Sequence, residues 1–150
     1  MHPFPHRYTV TATNQGTSEV TLSSGGLPSF VSTAPVEFDG PGGHWSPETL
    51  LVAAVADCFM LTFRAIARMS HLEWSTLSCE VSGAVDRVDG VTQFTAFDLQ
   101  ATLVVPATAS DAEVAKSTRL MHKAHDGCLV SNSMKGTRHL SVRVDRAASV

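Results

Sequence analysis

The chain has 150 residues, a formal net charge of −3, and a composition of 43% hydrophobic and 17% charged residues. That length fits a single domain over 1–150, with enough apolar material for a core that needs no staples. The charge gives no electrostatic footprint for nucleic acid, and no like-charged run is long enough for a polybasic membrane anchor.

The opening MHPFPHRYTV lacks a charged segment followed by an apolar one, so no signal peptide is expected and the protein reads as cytoplasmic. Residues 7–14 and 18–24 are two short β-like runs separated by a turn signal at Gly16. Gly25, Gly26 and Pro28 break the second run, and a third strand is expected over Phe30–Phe38, pushed toward a sheet edge by Pro35. The Gly/Pro-rich stretch 39–47 then delivers the chain to its central element.

That element is a helix from Ser46 to Met69. Ser46 suits the N-cap, Pro47 the first helical position, and Glu48 the positive end of the helix dipole. From Leu50 to Leu61 only Asp57 is polar, so the helix must be buried in a core or at a subunit interface. The apolar run is shorter than a bilayer span, and no membrane partner is expected.

Beyond Met69 the pattern switches to period two. Leu77, Cys79, Val81 and Val85 share one strand face, and Asp89-Gly90 supplies a type I′ hairpin turn. The return strand places Phe97, Leu99, Ala101, Leu103 and Val105 on its buried face. Ser110 and Glu113 form a capping box that opens a helix to about Ala124. Gly127 interrupts it, Cys128–Ser131 reads as the first turn of another short helix, and a last strand covers Arg138–Asp145. The order β-β-β-α-β-β-α-α-β is an α+β fold. One small curved sheet would cover only half of so apolar a helix, which favours a dimer sharing it.

Three cysteines, Cys58, Cys79 and Cys128, are too few and too odd in number for a disulfide scaffold. In a reducing compartment they are packing residues or include a transient catalytic pair. Cys79 alternates with Leu77 and Val81 and reads as structural. Cys58, on the most apolar element, is open to either reading from its residues alone. Cys128 sits at a helix start, where the dipole lowers a thiol pKa. His122, His125 and Cys128 step by three, which is metal-like spacing, but Gly127 breaks the register and no acid completes a tetrahedral set. His125 is also placed to act on Cys128 at short range. His44 and Trp45 read as surface loop and a packed indole, and Phe59, Met60 and Phe63 as core.

Three segments together resemble the OsmC/Ohr family, the osmotically inducible protein C and organic hydroperoxide resistance proteins. They are Glu37–Gly42, Ser46–Leu51 followed by Ala53–Phe59, and Ala124–Ser131, which is similar to the family's second cysteine motif. The resemblance runs along nearly the whole chain. It implies an OsmC-like fold and an intertwined homodimer with two active sites at its interface. It also implies thiol-dependent reduction of organic hydroperoxides, and often of hydrogen peroxide. By match, Cys58 is the peroxidatic thiolate, Cys128 the resolving cysteine and Glu48 the motif glutamate. A small or protein-bound dithiol recycles the disulfide, and no metal or organic cofactor is needed.

Glu48 and Cys58 are ten residues apart, about 15 Å along one helix, so a site using both takes them from two chains. Glu48 is equally readable as a first-turn acid that complements the dipole. The chain departs from the family at the arginine that holds the thiolate. The OsmC-type position is Glu37, the Ohr-type region holds Asn14, Gln15 and Gly16, and no arginine lies between Arg7 and Arg64. A carboxylate in place of that cation would raise a nearby thiol pKa. The alternative function is therefore an OsmC-fold protein without peroxidase activity that binds a small apolar ligand or senses redox state.

Overall fold

The computed structural model describes residues 2–148, which form two sheets and three helices. Two compact units are distinguished, one up to Leu51 and one from Val52 onward.

In the first unit β1 (Thr11–Thr13), β2 (Glu19–Ser23) and β3 (Phe30–Thr33) form an antiparallel sheet in the order β1-β2-β3. Asn14 builds the first turn. Its carboxamide accepts from the Gly16 amide at 2.8 Å and donates to the Thr17 and Glu19 carbonyls, each at 2.7 Å, while Gly16 takes φ +77°. The third strand stops at Thr33, short of the Phe38 expected from its apolar run. Pro35, with no amide to donate, precedes a 3-10 turn over Val36–Phe38. The chain then returns so that the Thr33 amide donates to the Trp45 carbonyl at 2.9 Å. Gly40 makes this return possible, because a Cβ there would stand 1.8 Å from the Ala34 carbonyl oxygen.

Helix α1 runs from Pro47 to Met69 and carries the division between the units. It starts where expected. Ser46 Oγ accepts from the Thr49 amide at 3.2 Å, and Thr49 Oγ1 in return accepts from the Ser46 amide at 2.8 Å, so two orphan donors are satisfied. Val55, Phe59, Phe63, Ile66 and Ala67 form its buried face. By length and composition the whole 23-residue helix could cross a membrane, although the shorter Leu50–Leu61 run argued otherwise. Its buried face instead marks it as a core helix of a globular α+β fold.

In the second unit β4 (Thr76–Val88) and β5 (Val91–Val105) pair as a long hairpin, with Asp89 at φ 51° and Gly90 at φ 81° in its turn. The register pairs Ala84 with Ala96 but Val85 with Phe94, leaving Thr95 as a bulge. All five expected β5 core residues, Phe97 through Val105, are buried. The alternation on β4 holds as far as Gly83; beyond it Val85, Val88 and Val91 are exposed, because the hairpin outruns the core. Helix α2 (Asp111–Asp126) opens on the anticipated capping box: the Ser110 amide donates to Glu113 Oε2 at 2.7 Å, and Ser110 Oγ accepts from the Glu113 amide at 3.3 Å. Helix α3 (Leu129–Asn132) follows, and β6 (Thr137–Arg146) joins β5 in parallel to complete the order β4-β5-β6.

Candidate thiol site

Cys58 lies one residue before buried Phe59 on α1, at the edge between the helix's buried face and its exposed stripe of Asp57, Leu61, Arg64 and Arg68. It is partly accessible. Cys128, the N-cap of α3, is wholly buried. Gly127 puts the end of α2 against α1, since a Cβ at that position would lie 3.8 Å from Thr62 Cγ2. The two thiols are neighbours. Burial pushes the Cys128 thiol up, and hydrogen bonds from the side chain and backbone of Ser131 draw it down. The Cys58 thiol pushes it up again through a hydrogen bond and like-charge repulsion. Both cysteines are free.

The dipole expectation for Cys128 is therefore reversed. One turn of helix is too short for a strong macrodipole, and desolvation outweighs the hydrogen bonds. Sequence reasoning also passed over Ser131. Its hydroxyl donates to Cys128 Sγ at 3.2 Å, in a pair where both residues are fully buried. The i, i+3 spacing was the available signal.

The other candidates separate from this pair. Glu48 is ten residues from Cys58 on one continuous helix, and its Oε2 is buried without a hydrogen-bond partner among the described residues. Thr33 Oγ1 shares that condition. Glu37, at the matched arginine position, is exposed on the 3-10 turn, and Asn14 is committed to its turn. No cation is among the groups that shift Cys128. His125 Nδ1 is buried without a hydrogen-bond partner among the described residues; burial lowers the imidazole pKa first, and nearby Arg138 lowers it further. Cys79 is half-buried on β4 opposite Ala101, and burial pushes its thiol up to about 11. His44 and Trp45 are exposed, whereas Phe59 and Phe63 are core, with Phe63 edge-on to Trp74 at 5.6 Å between ring centroids. Among the described residues, no three His, Cys, Asp or Glu side chains converge as a metal site.

A buried thiol beside an accessible one can form a disulfide in which only the accessible sulfur meets a solute. Comparison with known proteins extends this picture. A family model described as OsmC-like protein matches residues 40–143. The uncharacterised protein YmaD of Bacillus subtilis is 32% identical over 122 residues, 81% of each chain. A solved structure of an OsmC-like protein of unknown function from Vibrio cholerae superposes with a TM-score of 0.84 at 18% identity, covering 92% of this chain and 99% of that one. An organic hydroperoxide resistance protein from Legionella pneumophila gives a TM-score of 0.71 at 24% identity, covering 94% and 99%. At those identities the structural likeness establishes the fold.

Proposed function

The chain belongs to the OsmC-like protein family, and from that premise we propose that it is a thiol-dependent peroxidase reducing organic hydroperoxides. The observation that carries this reading is the adjacency of Cys58 and Cys128 with unequal access. The Cys58 thiolate attacks the distal oxygen of the hydroperoxide; the S–O bond forms, the O–O bond breaks, and the alkoxide takes a proton to leave as alcohol. Cys128 then attacks the sulfenic sulfur, the S–S bond forms, and the hydroxyl departs as water with the Cys128 proton. A dithiol, small or protein-bound, reduces the disulfide and is itself oxidised. The chemistry calls for no metal or organic cofactor.

The working unit in this reading is a homodimer. One observation supports it: only 28% of the most apolar stretch of α1 is buried within the chain itself. A second copy covers the rest. Glu48 then joins the site from the partner chain. The cytoplasm, which keeps thiols reduced and supplies dithiols, is the fitting compartment.

The test is consumption of cumene hydroperoxide and hydrogen peroxide with a dithiol, wild type beside Cys58→Ser and Cys128→Ser. Cys58→Ser should abolish turnover, and Cys128→Ser should give one slow turnover ending in over-oxidised Cys58. Equal activity of Cys58→Ser and wild type would end the peroxidase reading. The exposed Glu37 at the matched arginine position favours the second reading. In that case the same fold binds a small apolar ligand or senses redox state, and fluorescence of the protein with apolar ligands would change without turnover.

A further inference from the structure

The hydroxyl of Ser131 bonds a sulfur rather than a backbone carbonyl. Serine and threonine in helices commonly bond back to the carbonyl four residues earlier. Ser117 does so to Glu113 at 2.8 Å, Thr118 to Val114 at 3.3 Å, and Ser133 to Leu129 at 2.9 Å. Ser131 does not. Its only side-chain hydrogen bond among the described residues goes to Cys128 Sγ at 3.2 Å, and its backbone also acts on that sulfur. Cys128 and Ser131 are at zero exposure, so water cannot solvate a charge that forms there. Cys58 is partly open.

We propose that Ser131 makes Cys128 the leaving sulfur when the disulfide is reduced, so that the reductant attacks Cys58 and never Cys128. The inference rests on the thiol-pair reading above. A reductant thiolate attacks Cys58 Sγ; the bond from reductant sulfur to Cys58 forms, the Cys58–Cys128 bond breaks, and the electron pair goes to Cys128. Ser131 donates its hydroxyl hydrogen bond to that thiolate. The reductant's second thiol then displaces Cys58, leaving an oxidised cyclic reductant, and its two protons end on the protein thiols. A leaving thiol departs faster as its pKa falls, and burial alone would make Cys128 a poor one. Donor placement decides the direction.

The experiment oxidises the protein with diamide, so peroxide turnover is not required, and reduces it with dithiothreitol in a Cys79→Ala background. Ser131→Ala should slow reduction about tenfold, and Ser131→Thr, which keeps the hydroxyl, should restore it. In a Cys58→Ser, Cys79→Ala background, the absorbance of the Cys128 thiolate at 240 nm should titrate about one pH unit higher with Ser131→Ala. Glutathione, a monothiol, should be trapped on Cys58 of the oxidised protein with Ser131 intact, as read by peptide mass. Trapping on Cys128, or unchanged rate and titration in Ser131→Ala, overturns the proposal, as does failure of diamide to link Cys58 to Cys128. A normal serine effect without peroxide turnover would strike the peroxidase reading alone.

Discussion

Cys79 and Cys58 are both partly buried thiols, and their surroundings separate them. Cys79 sits among strand side chains that desolvate it, and its thiol is pushed up to about 11. At neutral pH its thiolate is scarce, so it neither attacks peroxides nor reacts readily with labels. Native protein treated briefly with iodoacetamide at pH 7 should carry the label on Cys58 before Cys79, and Cys79→Ala should keep full turnover. Early labelling of Cys79 would contradict this. His125 gives a pH dependence. Its pKa is lowered by burial, then by Arg138, with His122 and His139 adding to the effect and Asp126 opposing it. As pH falls through the ordinary histidine value of about 6.5, the unfolded chain takes a proton before the folded one does. This contribution to stability is therefore present above that pH and lost below it. Between pH 7.5 and 5.5 the wild-type urea midpoint should fall more than that of His125→Gln; equal falls would remove His125 from the account.

At the scale of elements, the hairpin and α1 meet at Gly83. A Cβ there would stand 2.7 Å from Phe94 Cε1 and 2.9 Å from Val52 Cγ2. Overpacking of this kind costs about 1–3 kcal/mol, more than the roughly 0.5–1 kcal/mol that alanine gains by restricting the unfolded chain. Gly83→Ala should lower the unfolding free energy by that net amount, read as a lower urea midpoint at unchanged m, and an unchanged midpoint would show that the two side chains move aside freely. Local signals were the legible ones. The Ser46 cap, the Ser110–Glu113 box and the Asp89-Gly90 turn each depend on residues within one turn of one another, and each forms as read. The early end of β3, the Thr95 bulge and the role of Gly83 depend on what packs nearby, which periodicity does not encode. The thiol site divides in the same way. Family resemblance named Cys58 and Cys128, but the burial that reverses the pKa direction of Cys128 belongs to tertiary packing. Ser131 was within local reach, hidden because serine there reads as an ordinary helix residue.

For the molecule as a whole, the exposed stripe of α1 is the feature to explain. Leu61 is 50% exposed and Met69 69% exposed on an element whose apolar content demands cover. The homodimer proposed above would supply it, and sedimentation equilibrium at micromolar concentration should then return twice the 16.0 kDa chain mass. A stable monomer would leave Glu48 with no partner chain and would undo the two-chain site.

The parallel pairing of β5 with β6 has a kinetic consequence. The β4–β5 hairpin closes locally, but β6 can dock only after the chain has looped back from Val105 to Thr137. Closing a long crossover is entropically slow compared with a hairpin. Cys128 lies inside that crossover, whereas Cys58 precedes the hairpin. Pulsed thiol labelling of Cys128 during refolding should therefore report when that crossover packs, and a loss of labelling as early as hairpin formation would show that it packs before β6 docks.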